Sequence, residues 1–129
     1  MLDIGKVMAK AKPDAPESSV IAYDALLSAF AIPRKGAKNA YTSLNGNMFS
    51  YLEKEGALAL RMGKEARNAF IERYNSRLAE AHNTVMKEYV VVPVEMLLNL
   101  ETVSPHFAES LRYAESLKAK PTKKKPVKK

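Results

Sequence analysis

The chain has no cysteine and no tryptophan, only two histidines, and five dispersed glycines among 129 residues. Without cysteine there is no disulfide framework, no thiol nucleophile and no cysteine-ligated metal. A reducing, cytoplasmic setting is favoured. Scattered glycines build no phosphate-cradling loop. His82 and His106 have no second His or Cys at ligand spacing, so they read as solvated or locally bonded side chains. No serine stands in a nucleophile elbow. Glu53 and Glu55 form a carboxylate pair in sequence, but a loop tip offers little burial to tune them for acid–base work. No catalytic, metal or cofactor residue is therefore expected, and an undetected enzyme is the least favoured reading. No apolar run approaches the ~20 residues that span a bilayer. The opening "MLDIGKVMAKAKPD" lacks the apolar core of a signal peptide.

Net charge is present but confined. The formal charge is +7. Seven lysines fall between Lys118 and Lys129: Lys118, Lys120, Lys123, Lys124, Lys125, Lys128 and Lys129. Without them, 14 basic residues face 14 acidic ones. The expected domain is thus neutral and the basicity belongs to a tail. Lysine and proline dominate that tail, which predicts disorder. Such a segment can contact nucleic acid weakly and without reading sequence; a purely solubilising terminus is the alternative.

Three regions follow: an arm over 1–13, a domain over 14–117 and the tail over 118–129. In the arm, Ile4, Val7, Met8 and Ala11 have helical spacing, but the stretch is too short to hold a helix unaided. Asp14, Pro16 and Glu17 read as a capped helix start. Val20, Tyr23, Leu26, Leu27 and Phe30 then give an amphipathic helix to about Ala31. Asn45-Gly46 predicts a two-residue hairpin turn. A second turn at "EKEG", with a loop of two or four residues, places Tyr51 opposite Leu60. One face of this meander then carries Thr42, Leu44, Phe49, Tyr51, Leu58, Leu60 and Met62, and is assigned to the core. The other carries Tyr41, Ser43, Met48, Ser50, Leu52, Ala57, Ala59 and Arg61.

Downstream, a helix is predicted over Lys64 to Tyr74 and a short strand near Leu78–Ala81. "EYVVVP" forms an interior strand, apolar on both parities. A short helical turn follows Pro93, and Ser104-Pro105 marks the start of the last helix. Arg61 and Glu88 can pair across strands if the third and last strands are neighbours. The pattern is α+β with an antiparallel meander, in the order α-β-β-β-α-β-β-α. A partly apolar second sheet face, with Tyr41, Met48, Leu52, Arg61 and Glu88, is the candidate partner surface. Its occupant is a protein, either a second copy or another chain.

The segments "LNGNMFSYL", "ALALRM", "MKEYVVVP" and "SLRYAESL", in this order, resemble the TfoX/Sxy N-terminal domain family over about Asp14 to Pro121. The matching positions are Gly46, Met48, Phe49, Arg61, Met86, Lys87, Glu88, Tyr89 and Pro93. Where many relatives carry Met-Phe-Gly on the first strand, this chain has "AYTSL". The resemblance implies a two-layer α/β sandwich similar to secretion-chaperone-like domains. It also implies a non-enzymatic regulatory role, since named members act with a transcriptional activator in natural competence. The expected form is a stand-alone, single-domain member.

Overall fold

The computed structural model describes residues 14–119. The arm over 1–13 and the tail from Lys120 onward lie outside them. The elements are α1 (Glu17–Ala29), β1 (Tyr41–Leu44), β2 (Asn47–Leu52), β3 (Leu58–Arg61), α2 (Lys64–Tyr74), β4 (Leu78–Ala81), β5 (Thr84–Val92), α3 (Val94–Leu97) and α4 (Leu100–Ser116). The strands form one antiparallel sheet in the order β1-β2-β3-β5-β4. The helices pack on one face of it, an α+β arrangement with the expected element order. The valine strand β5 lies between β3 and β4, which explains its apolar residues on both parities.

Local chemistry sets the turns. Asn45 and Gly46 both have positive φ, as a primed hairpin turn requires. His82 and Asn83 do the same between β4 and β5. The β2–β3 connection differs from the expected one. Glu53 N–H donates to Ala57 O, so three residues form the loop rather than two or four. Leu52 therefore faces Leu58, and Tyr51 faces Ala59 rather than Leu60. Gly56 sits at φ +107°, where a Cβ would come within 2.7 Å of Ser19 Oγ on α1.

A β-bulge reconciles the two hairpins. Thr42 pairs with Ser50 but Ser43 with Met48, leaving Phe49 as the extra residue on β2. Phe49 and Ser50 then both turn toward the helices. Phe49 packs at 5.6 Å from the Phe107 ring, and its carbonyl accepts from Ser110 Oγ of α4 at 3.1 Å. Ser50 Oγ meets Tyr23 Oη at 2.6 Å and Thr42 Oγ1 at 2.5 Å, all buried. Because the bulge shifts the alternation by one, three assignments are overturned. Leu52 is buried in the helix-side core, and Tyr51 belongs to the opposite face. Ser50 likewise moves to the helix side.

Two helix starts also differ. Pro16 occupies the N-cap of α1 and no side chain caps it, so the Asp14–Glu17 box does not form; Asp14 N–H instead donates to Lys38 O. Helix α4 starts before Ser104-Pro105. Asn99 caps it by accepting from Thr102 N–H at 3.1 Å, and Pro105 lies inside.

Candidate functional site

The helix-side core holds Tyr23, Leu26, Phe49, Leu58, Leu60, Val90, Val92 and Phe107. A second, smaller cluster lies on the other face. Ala59, Ala79, Tyr89 and Val91 are its buried members, and Met48, Tyr51, Ala57 and Met86 pack around them. Among the described residues, no helix contributes to it. Its small residues are hidden only by the larger side chains beside them.

The geometry builds outward from that centre. The Tyr51 ring on β2 and the Tyr89 ring on β5 lie 5.5 Å apart, meeting over the small residues of the intervening β3. Tyr89 Oη donates to the Met48 carbonyl at 2.8 Å, and Arg61 Nη1 reaches the same oxygen at 3.3 Å. That carbonyl lies beyond the last paired residue of β2 with β3, so side chains take the place of the ladder. The Arg61–Glu88 pair forms, with Nε 2.7 Å from Oε1. The guanidinium also lies about 6 Å from the Tyr89 and Tyr113 rings, within cation–π range. Arg61 thus ties the end of the central strand β3 to α4.

Burial sets the electrostatics. It pushes the Tyr51 hydroxyl up to about 12, helped by Glu53 and Tyr89. Burial raises the Glu53 carboxyl too; Arg77 opposes the shift, and Glu55 and Glu80 add to it. Tyr89 is raised by burial against the pull of Arg61. Tyr51 Oη has no hydrogen-bond partner among the described residues. Burial thus shifts all three groups toward their neutral forms.

The predicted positions separate accordingly. Met48, Arg61 and Glu88 come together, with Tyr89 and Met86 beside them. Tyr41, paired with Tyr51 at the edge strand, shares their face. Leu52 leaves the group. Gly46 serves the turn, Phe49 the core, Lys87 is exposed, and Pro93 caps α3. Lys118 is exposed, and its carbonyl accepts from Asn47 Nδ2 at 2.9 Å. Tyr51 was missed as a face residue because the three-residue loop and the bulge leave no alternation signal. Val91 was hidden in an unbroken apolar run.

The two grooves between α2 and α4 concentrate less chemistry. In one, His106 Nε2 meets Tyr74 Oη at 3.0 Å and its ring lies edge-on to Phe70. Burial, with Arg73 nearby, lowers its pKa. Among the described residues, no three carboxylates or histidines converge as a metal site, and no helix is long and apolar enough to cross a membrane.

The chain matches no family model, no curated protein and no solved structure.

Proposed function

We propose that this chain is a non-enzymatic regulatory domain of the TfoX/Sxy N-terminal kind, which binds a protein partner through its open sheet face. The uncovered apolar cluster carries this reading. Met48, Tyr51, Met86, Tyr89 and Val91 sit on one side of the sheet while the described helices take the other. Aromatic and methionine side chains are effective contact groups, because they bring large area or adaptable shape. The family part of the reading rests on the motif residues named above and on the element order, which fits that family. Competence regulation is the pathway that the resemblance suggests.

A second reading has its own support in the placement of charge. The lysine tail alone accounts for the net positive charge. Weak, sequence-independent nucleic-acid binding is therefore proposed for the tail, and protein binding for the fold. Affinity purification of the tagged chain from its native cells, across a salt series, separates them. A partner on the face should survive moderate salt and be lost with Met48→Asp. A nucleic-acid contact through the tail should weaken steeply with salt and ignore Met48→Asp. Retention of every co-purifying protein by Met48→Asp would overturn the face as the binding site.

A further inference from the structure

On the helix side of the sheet, α2 and α4 leave a gap between them. Helix α2 lines it with Ala66 and Ala69, whose short side chains leave the space unfilled. The result is a groove of about 310 Å³ over Met62, walled by Ala66, Ala69 and Phe70 of α2 and by Pro105 and His106 of α4. At Ala66 and Glu109 it opens into a second cleft, of about 580 Å³, beside Arg112 and Tyr113.

Three rings gather at the first groove. Phe70 and Tyr74 stand one helical turn apart with centroids 4.7 Å apart, and the His106 ring is perpendicular to both at 5.0 and 5.3 Å. Tyr74 Oη and His106 Nε2 are already bonded to each other, so this end offers mainly ring surface. Two charged side chains line it, Arg73 and Glu109. Glu109 is compensated, with Arg112 Nη1 2.8 Å from its Oε1. Arg73 lies over the Tyr74 ring at 5.0 Å and has no carboxylate partner among the described residues. Burial, with Arg73 nearby, lowers the His106 pKa, so the imidazole is neutral near pH 7. The groove thus combines a ring-lined floor with one uncompensated cation.

We infer that this groove binds a small aromatic carboxylic acid, its ring among Phe70, Tyr74 and His106 and its carboxylate on Arg73. Aromatic rings pack well edge-to-face and offset against one another. A guanidinium matches a carboxylate in shape and charge, and the bond is stronger than a neutral one. The volume lies at the small end of the range for ligand pockets, which suits one ring with a short acidic arm. Both walls are helices, whose interior backbone groups are already hydrogen-bonded. They offer a peptide none of the main-chain bonds that extended segments use, so the occupant is a free acid. The groove lies on the opposite side of the sheet from the proposed partner face. An acid and a protein can therefore be held at once, and neither idea needs the other.

Phenylacetate is the probe, titrated into the full chain at neutral pH while the amide signals of Ala66, Ala69 and His106 are followed by NMR. Saturable shifts are expected at about millimolar probe, as suits so small a ligand. Phenylacetamide keeps the ring without the charge, and acetate keeps the charge without the ring. Each should bind about tenfold more weakly or worse. Arg73→Gln should reduce phenylacetate to the level of its amide. Ala69→Leu, at an exposed helical position where leucine is well tolerated, should fill the groove and abolish the shifts while circular dichroism and melting temperature stay unchanged. Absence of a saturable shift, equal binding of phenylacetamide, or binding indifferent to Arg73→Gln or to Ala69→Leu would each overturn the inference. Tighter binding of a tripeptide ending in phenylalanine would also overturn it, because the occupant would then be a peptide terminus. Failure of the purification experiment above would leave these results unchanged.

Discussion

The two faces of the sheet bury apolar surface in different ways. On the helix side, Phe49, Leu58, Leu60, Val90 and Val92 are enclosed between two layers, against Tyr23, Leu27, Val103 and Phe107. On the open side, Ala59, Ala79 and Val91 are covered by neighbours in the same layer. The first kind of burial is removed from water only by folding the helices onto the sheet. The second is largely formed once the strands pair. Stability should therefore reside on the first face, leaving the second free to serve contact.

Phe49→Ala should break the comparison most severely. The side chain is fully buried at the bulge, and its loss should lower unfolding free energy by about 3–5 kcal/mol in a denaturant titration. Ser50→Ala comes next. It strands the buried Tyr23 and Thr42 hydroxyls together, for a loss of about 1–3 kcal/mol. If Ser50→Ala were neutral, the hydroxyl cluster would not be what fixes the bulge.

Open-face changes should be smaller and can reverse sign. Glu53 has a raised carboxyl pKa in the fold, so the native state holds that proton more tightly than the unfolded chain. Its contribution is fully present below the unfolded pKa of about 4.5 and is lost as pH rises through the folded value. At pH 7 the ionised group opposes folding. Glu53→Gln should accordingly raise the melting temperature at pH 7, with the gain shrinking toward pH 4. A gain that stays constant across that range would assign the effect to something other than ionisation. Tyr51→Phe removes a hydroxyl with no partner among the described residues. Stability should stay level or rise by up to about 1 kcal/mol.

Much of this division was legible in the sequence. Asn45-Gly46, the valine run and the helical spacing of α1 each carry a local physical cause, and each element formed where that cause placed it. The core role of Phe49, Leu58 and Leu60 followed from alternation alone. Tyr51 and Leu52 exchanged faces because face assignment depends on an unbroken count along the strand. One extra residue at Phe49 and an odd loop at Lys54–Gly56 each shift that count. Neither has a sequence signature as strong as a primed turn. The start of α4 was similarly obscured. Ser104-Pro105 has the form of a start, yet Asn99 supplies the bond that caps the helix. The Arg61–Glu88 pair needed only the adjacency of β3 and β5. The role of Tyr89 in holding the Met48 carbonyl depended on register and could not be read beforehand.

The claim that the open face is a contact surface is tested most directly by photo-crosslinking in the native cell. A benzophenone amino acid at Tyr51 samples the face, and one at Leu98, an exposed residue after α3 on the helix side, serves as the control. The account predicts a discrete covalent adduct with another protein from Tyr51, absent from Leu98 and abolished by Met48→Asp. No intermolecular adduct from Tyr51, or the same adducts from both positions, would contradict it.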